Sequence, residues 1–298
     1  MSRVPPYVRL LLLGLIWGTS FLFIKVALEG LPPLGVALGR TVAGAATMWA
    51  VVAARRLPVP RTWAVWRHVV VLSVLANVVP FALFSWGELH VSSGVAGVYN
   101  ATTPLFTLLV AMAALPDERP TRERVAGVAL GLLGVVVVLG PWRGVGQNTL
   151  LGQAACLVAS ASYGVGFNYV RRFVTPHRLH PATLTACQLA VATVLLGAVT
   201  PLAGGGVHLT ARVVASVLAL GALGTGIAFV LYHGLIRDLG ATTASLVTFV
   251  VPVVAVALGV VALGEDLAWN LFAGAAVVVL GVALAEGRLR RRQPAAAS

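Results

Sequence analysis

GVAGVYNATTPLFTLLVAMAALPDERPTRERVAGVALGLLGVVVVL, residues 94–139, and ATTASLVTFVVPVVAVALGVVALGEDLAWNLFAGAAVVVLGVALA, residues 241–285, carry one pattern twice. Each opens with an apolar run interrupted by a proline, Pro104 or Pro252, then makes a short charged turn, then runs apolar again through spaced glycines. Counting outward from the prolines pairs Ala96 with Ala244, Ala114 with Ala262 and Leu115 with Leu263. After a one-residue difference in length it pairs Glu118 with Glu265, Gly127 with Gly274 and Gly134 with Gly281.

Working outward from this pair gives ten apolar segments, near residues 7–28, 34–54, 68–88, 92–115, 122–140, 150–171, 181–202, 211–235, 240–263 and 269–286. The 298 residues are 59% hydrophobic and 10% charged, with a mean hydropathy of +0.94. Soluble domains carry about 25% charged residues, and about 20 apolar residues suffice to cross a bilayer as a helix. Five segments per copy is an odd number, so the second copy enters the membrane upside down. The fold class that follows is an all-α membrane protein with ten transmembrane helices in two inverted five-helix repeats, residues 1–140 and 148–286, followed by a basic cytoplasmic tail at 287–298. Only the stretches near 55–67 and 140–149 read as loops. The first segment, LLLGLIWGTSFLFIKVAL, is too long for a signal peptide and lacks a small-residue cleavage pattern, so it reads as a helix.

The net charge of +12 is explained by where the arginines fall. With the N-terminus inside, seventeen arginines lie on the inner side, against Arg143 and Arg212 outside, with Lys25 and Arg40 within helices. That asymmetry is the positive-inside pattern. It predicts a multi-pass protein of the cell membrane with both termini cytoplasmic, partnered by lipid and not by nucleic acid. The tail RLRRRQPAAAS serves chiefly to fix this topology.

Catalytic motifs are missing. The chain has no phosphate-cradling G-x-x-x-x-G-K-[ST] loop, no H-E-x-x-H zinc pair and no G-x-S-x-G nucleophile turn. Cys156 and Cys187 lie in different apolar segments without metal-ligand spacing and read as small core residues. The expectation is a chain that is not an enzyme and that holds no cofactor or metal. All nine acidic residues fall at or near helix ends. A carboxylate at mid-membrane usually marks an ion pathway; with none read there, proton coupling through a buried acid is disfavoured.

WGTSFLFIKVALEGLPPLGVALGR (17–40), FALFSWGELHVSSGVAGVYNATTPLF (81–106) and the Pro…Gly-Glu…Gly order of residues 241–285 together resemble the EamA family of the drug/metabolite transporter superfamily. The resemblance covers residues 8–286, and it is the ordered set that carries it, since no one motif is specific. It implies ten helices with both ends cytoplasmic, a central cavity between the halves, and export or uptake of small metabolites such as amino acids. Pro116-Asp117-Glu118 departs from the Gly-Glu of the pattern, which Gly264-Glu265 keeps.

Candidate site residues follow from polar and aromatic groups in apolar helices, which usually face the bundle interior. Trp17 and Tyr163 are repeat-related (WGTSF against YGVGF) and read either as a stacking surface or as packing beside Gly18 and Gly164. Arg40, two turns into the second segment, offers positive charge to a carboxylate or phosphate, or pairs with Glu29 or Glu88. Lys25 is a cavity-mouth charge or snorkels to the interface. Glu118 and Glu265 are expected to interact with the helix that follows each. A helical proline frees the carbonyl four residues earlier, here Asn100 for Pro104 and Thr248 for Pro252. The expectation is that Asn100 and Thr248 face each other across the cavity as part of a substrate site, with Trp17, Trp86 and Tyr163 as apolar walls. The alternative is that the prolines only bend their helices.

The reading that accounts for all of this is a secondary transporter, an exporter or facilitator of small metabolites such as amino acids or related amphiphilic compounds. A non-transport membrane protein, such as an intramembrane enzyme acting on lipids, accounts for the hydrophobicity alone.

Overall fold

Residues 5–114, 121–140, 149–239, 247–266 and 268–287 are described by a computed structural model, and among them no strand occurs. The chain runs through α1 (Pro6–Ala27), α2 (Pro33–Ala54), α3 (Trp63–Gly87), α4 (Ser93–Ala114), α5 (Arg122–Leu139), α6 (Leu150–His177), α7 (Pro181–Leu202), α8 (211–239), α9 (Val247–Leu263) and α10 (Trp269–Ala285). Seven of these, α1 to α4 and α6 to α8, are long and apolar enough to cross a membrane. The 22 residues of α1 make a rod of about 33 Å, close to the thickness of a hydrocarbon core. α9 and α10 are apolar but shorter. α5 carries Arg122, Glu123 and Arg124 in its first turn.

The outer surface is apolar. Val261 is 84% exposed and Val194 71% exposed, which would be costly in water and is natural against lipid. Between helices apolar burial supplies no driving force in lipid, so small residues that let backbones approach do the work. The seam of α5 with α10 shows this: a Cβ on Gly134 would lie 2.6 Å from Val278 N, and Gly127 and Gly281 face Ala285 and Gly131 as tightly. α5 and α10 run antiparallel here, since rising numbers on one meet falling numbers on the other.

The same packing plan occurs in both halves. A Cβ on Gly18 of α1 would meet Val254 of α9 at 2.5 Å, and a Cβ on Gly164 of α6 would meet Phe106 of α4 at 2.8 Å. Val254 and Phe106 stand two residues after Pro252 and Pro104. α3 packs on α6 as α8 packs on α1, and α2 packs on α7.

Three expectations change. Pro104 does not kink a continuous helix. α4 stops at Asn100, turns through Ala101 and Thr102, and restarts at Thr103, with Pro104 in the new first turn, where its missing N–H costs nothing. Pro252, by contrast, lies inside the continuous α9. The segment expected near 68–88 begins at Trp63, and residues 204–210 form a further exposed connection, pinned by His208 N donating to Gly30 O at 2.8 Å. Residues 240–246, Glu118 with its turn, and most of the basic tail lie outside the described residues.

Candidate functional site

Arg40 is placed by a close approach of α2 and α8. A Cβ on Gly221 would come within 2.6 Å of Arg40 O and 2.8 Å of Gly44 N, so the backbones touch and Thr225 is brought under the guanidinium. Arg40 Nε donates to Thr225 Oγ1 at 3.0 Å, and its Cζ sits 4.0 Å from the centre of the Phe81 ring on α3. Stacking on an aromatic face lowers the cost of holding a guanidinium away from water. That Nε bond is the side chain's one hydrogen bond among the described residues, where Nη1 and Nη2 have no acceptor. Neither expected structural pair forms, since Glu29 instead pairs with Arg212 at 3.3 Å on the surface.

Thr225 can play this role because α8 is π-helical over Ala219–Ile227. The wider turn leaves carbonyls for side chains: Thr225 Oγ1 donates to Leu220 O at 3.0 Å, and Trp17 Nε1 of α1 donates to Gly224 O at 3.1 Å. Trp17 is held besides by Phe229 and Tyr232, with ring centroids 6.2 and 5.3 Å away. α3 has its own π stretch, Val74–Val78, and there Leu75 O accepts from Ser162 of α6 at 2.7 Å. The neighbouring Tyr163 stacks on Phe84 and Phe167 at 6.3 and 6.0 Å, and its hydroxyl, within electrostatic reach of Arg40, has no hydrogen-bond partner among the described residues. Arg40, Phe81, Thr225, Trp17, Phe84 and Tyr163 therefore form one connected group between the two halves.

The remaining candidates are not among these contacts. Trp86 is two residues from Phe84, hence on the opposite side of α3, and packs on His90 with centroids 4.5 Å apart. Lys25 Nζ donates to Glu88 O and, at 2.9 Å, to Val91 O, which ties α1 to the end of α3. Asn100 ends the first piece of α4, half-buried and without a side-chain hydrogen bond. At this break Tyr99 O is satisfied by Ser160 Oγ of α6 at 2.8 Å and by Thr102 Oγ1 at 2.6 Å. Thr248 stands in the first turn of α9, next to residues outside the described set. Two grooves of about 450 and 370 Å³ lie between α1 and α8 and between α6 and α7, and neither is lined by a candidate residue.

Sequence reasoning named the wrong helix for one charge and missed the burial of two others. Glu265 caps a helix, but not the one that follows: its oxygens accept from Ser93 N at 2.6 Å and Gly94 N at 3.1 Å, at the start of α4. A carboxylate there meets the positive end of the helix dipole. Arg9, counted among the arginines of the inner side, is 8% exposed and pairs with Asp238 at 2.8 Å. Glu88, at the end of α3, has no exposed surface at all. Glu265 and Arg9 had no local signal, because each partner lies on a distant helix.

Apolar rods of membrane-spanning length around a polar, aromatic interior define a multi-pass membrane protein of the transporter class. The chain belongs to the EamA-like transporter family, whose model matches residues 5–140 and again 150–286, so the architecture is a two-repeat one. It is 25% identical to the transporter YoaV of Bacillus subtilis over 94% of this chain and 96% of that one. It is 31% identical to a probable terminal-alkyne amino-acid exporter of Streptantibioticus cattleyicolor, covering 93% and 92%. The inner membrane transporter YedA of Escherichia coli K12 is 29% identical over 94% and 90%. A solved crystal structure with 24% identity shares the fold at a TM-score of 0.69, covering 96% of this chain and 99% of that one.

Proposed function

We propose that the chain is a secondary transporter of small molecules bearing a carboxylate, amino acids foremost, across the cell membrane. It crosses ten times as two inverted five-helix repeats, residues 1–140 and 148–286, with both termini and the tail 287–298 cytoplasmic. The matched packing of Gly18 on Val254 and Gly164 on Phe106 supports the repeat, and the placement of basic residues supports the orientation.

The observation that carries the substrate reading is Arg40. A charge inside a membrane bundle is retained for a purpose, and this one presents two unpartnered nitrogens beside Tyr163. A planar guanidinium with both Nη groups free matches a carboxylate in a bidentate pair. Trp17, Phe84 and Tyr163 supply the apolar surface for a side chain. The relative named as a probable amino-acid exporter supports the same substrate class.

The test is exchange in proteoliposomes: lumenal and external pools of the standard L-amino acids, one pool isotopically labelled, followed by mass spectrometry. At least one amino acid exchanges with wild-type protein, and exchange falls to the protein-free level with Arg40→Gln while Arg61→Gln, on an exposed loop, matches wild type. No exchange of any amino acid above protein-free vesicles would refute the reading.

A further inference from the structure

Glu88 is a carboxylate with nothing to hold it. The residue is fully buried, and among the described residues neither Oε1 nor Oε2 has a hydrogen-bond donor. Gly87 explains the burial: a Cβ there would lie 2.8 Å from Cys156 Sγ and 3.2 Å from Gly152 O, so the end of α3 presses directly on α6. An ionised carboxylate in such a place costs far more than a neutral one unless nearby charge compensates it.

The titratable and charged groups that face it are Lys25 of α1, Arg40 of α2, Cys156 of α6 and Glu265 beyond α9. Lys25 is engaged by the carbonyls of Glu88 and Val91, and Glu265 by the N-terminus of α4. Lys25 spends two of its three N–H donors on those carbonyls, whereas both Nη groups of Arg40 keep their donors. Two cations and two carboxylates balance while Arg40 is empty. A substrate carboxylate on Arg40 adds a negative charge and weakens the cationic field of Lys25 and Arg40 on Glu88, which favours the protonated acid.

We propose that Glu88 is the proton-binding residue of the transport cycle. It takes up a proton from water when a carboxylate docks on Arg40 and returns it when the carboxylate leaves, so proton and substrate cross together. The only bond made and broken is the carboxyl O–H of Glu88; the substrate is chemically unchanged. This rests on the carboxylate-transport reading above and reverses the sequence-based expectation that no buried acid couples protons.

Proteoliposomes loaded with an equimolar mixture of the standard L-amino acids are compared at equal pH and with a more acid lumen, and released amino acids are quantified. With wild-type protein, efflux rises several-fold under the acid lumen. Glu88→Gln, scaled to its own rate at equal pH, shows no response, and Glu88→Asp restores a response. Wild-type efflux indifferent to the gradient, or Glu88→Gln responding as wild type does, overturns the proposal. If no amino acid leaves with any variant, the carboxylate-transport reading fails instead. Glu88 is then judged by infrared titration of the purified protein without substrate. A protonated-carboxyl stretching band that titrates in wild type and is missing in Glu88→Gln upholds proton binding; its absence from wild type, or its persistence in Glu88→Gln, overturns it. The same titration decides the matter if Glu88→Gln folds but does not transport.

Discussion

Gly259 has no chemistry of its own, yet it shapes the polar network. A Cβ at this position would collide with Glu265 Oε2 and lie 2.9 Å from Ser93 Oγ. The glycine leaves the space in which the carboxylate reaches Ser93 N and Gly94 N. Gly259→Ala is expected to displace the cap and cost about 1–3 kcal/mol, from overpacking and a lost charge-assisted bond. Thermal unfolding in detergent measures this as a lower melting temperature than wild type; an unchanged one would show that Glu265 has another way to sit. Thr225 is a second such residue, since its hydroxyl both accepts from Arg40 and donates to Leu220 O. Thr225→Val keeps the shape and removes the acceptor, so Arg40 loses its orientation. Amino-acid exchange should fall roughly tenfold, the worth of one charged hydrogen bond, with folding intact by size-exclusion chromatography.

Among the helices, the seam of α5 with α10 is built on Gly127, Gly131, Gly134, Gly274 and Gly281, set closely against Val138, Val278 and Ala285. Gly134→Leu has no room to relax into, because the facing atoms are backbone, and is expected to separate the two helices and to abolish a monodisperse size-exclusion peak. Leu133→Ala, on the 60% exposed lipid face, should leave the peak unchanged. The glycines were legible as repeat partners, Gly127 with Gly274 and Gly134 with Gly281 by counting from the prolines, but not the packing of their helices on each other. The break in α4 and the π stretches of α3 and α8 were not. Their displaced carbonyls are answered by Ser160, Ser162 and Trp17 on other helices, and no local pattern announces a partner so far along the chain.

At the scale of the molecule, the repeat and the apolar segments were readable because membrane crossing imposes length and composition on each segment alone. The site was readable only in part. Arg40, Trp17 and Tyr163 stand out as polar or aromatic groups in apolar runs, and the fold gathers them. Trp86 stood out by the same rule and the fold turns it toward His90 instead, since facing depends on helix phase. Glu88 did not stand out, because a carboxylate at a helix end ordinarily meets water. The central claim is that Arg40 recognises a carboxylate, and its most direct test compares an exchanged amino acid with its own carboxamide as competitors in proteoliposomes. The amino acid should outcompete the amide by at least about tenfold with wild-type protein, the worth of a bidentate charged pair over a neutral hydrogen bond. Equal competition by the two with wild-type protein would contradict the account.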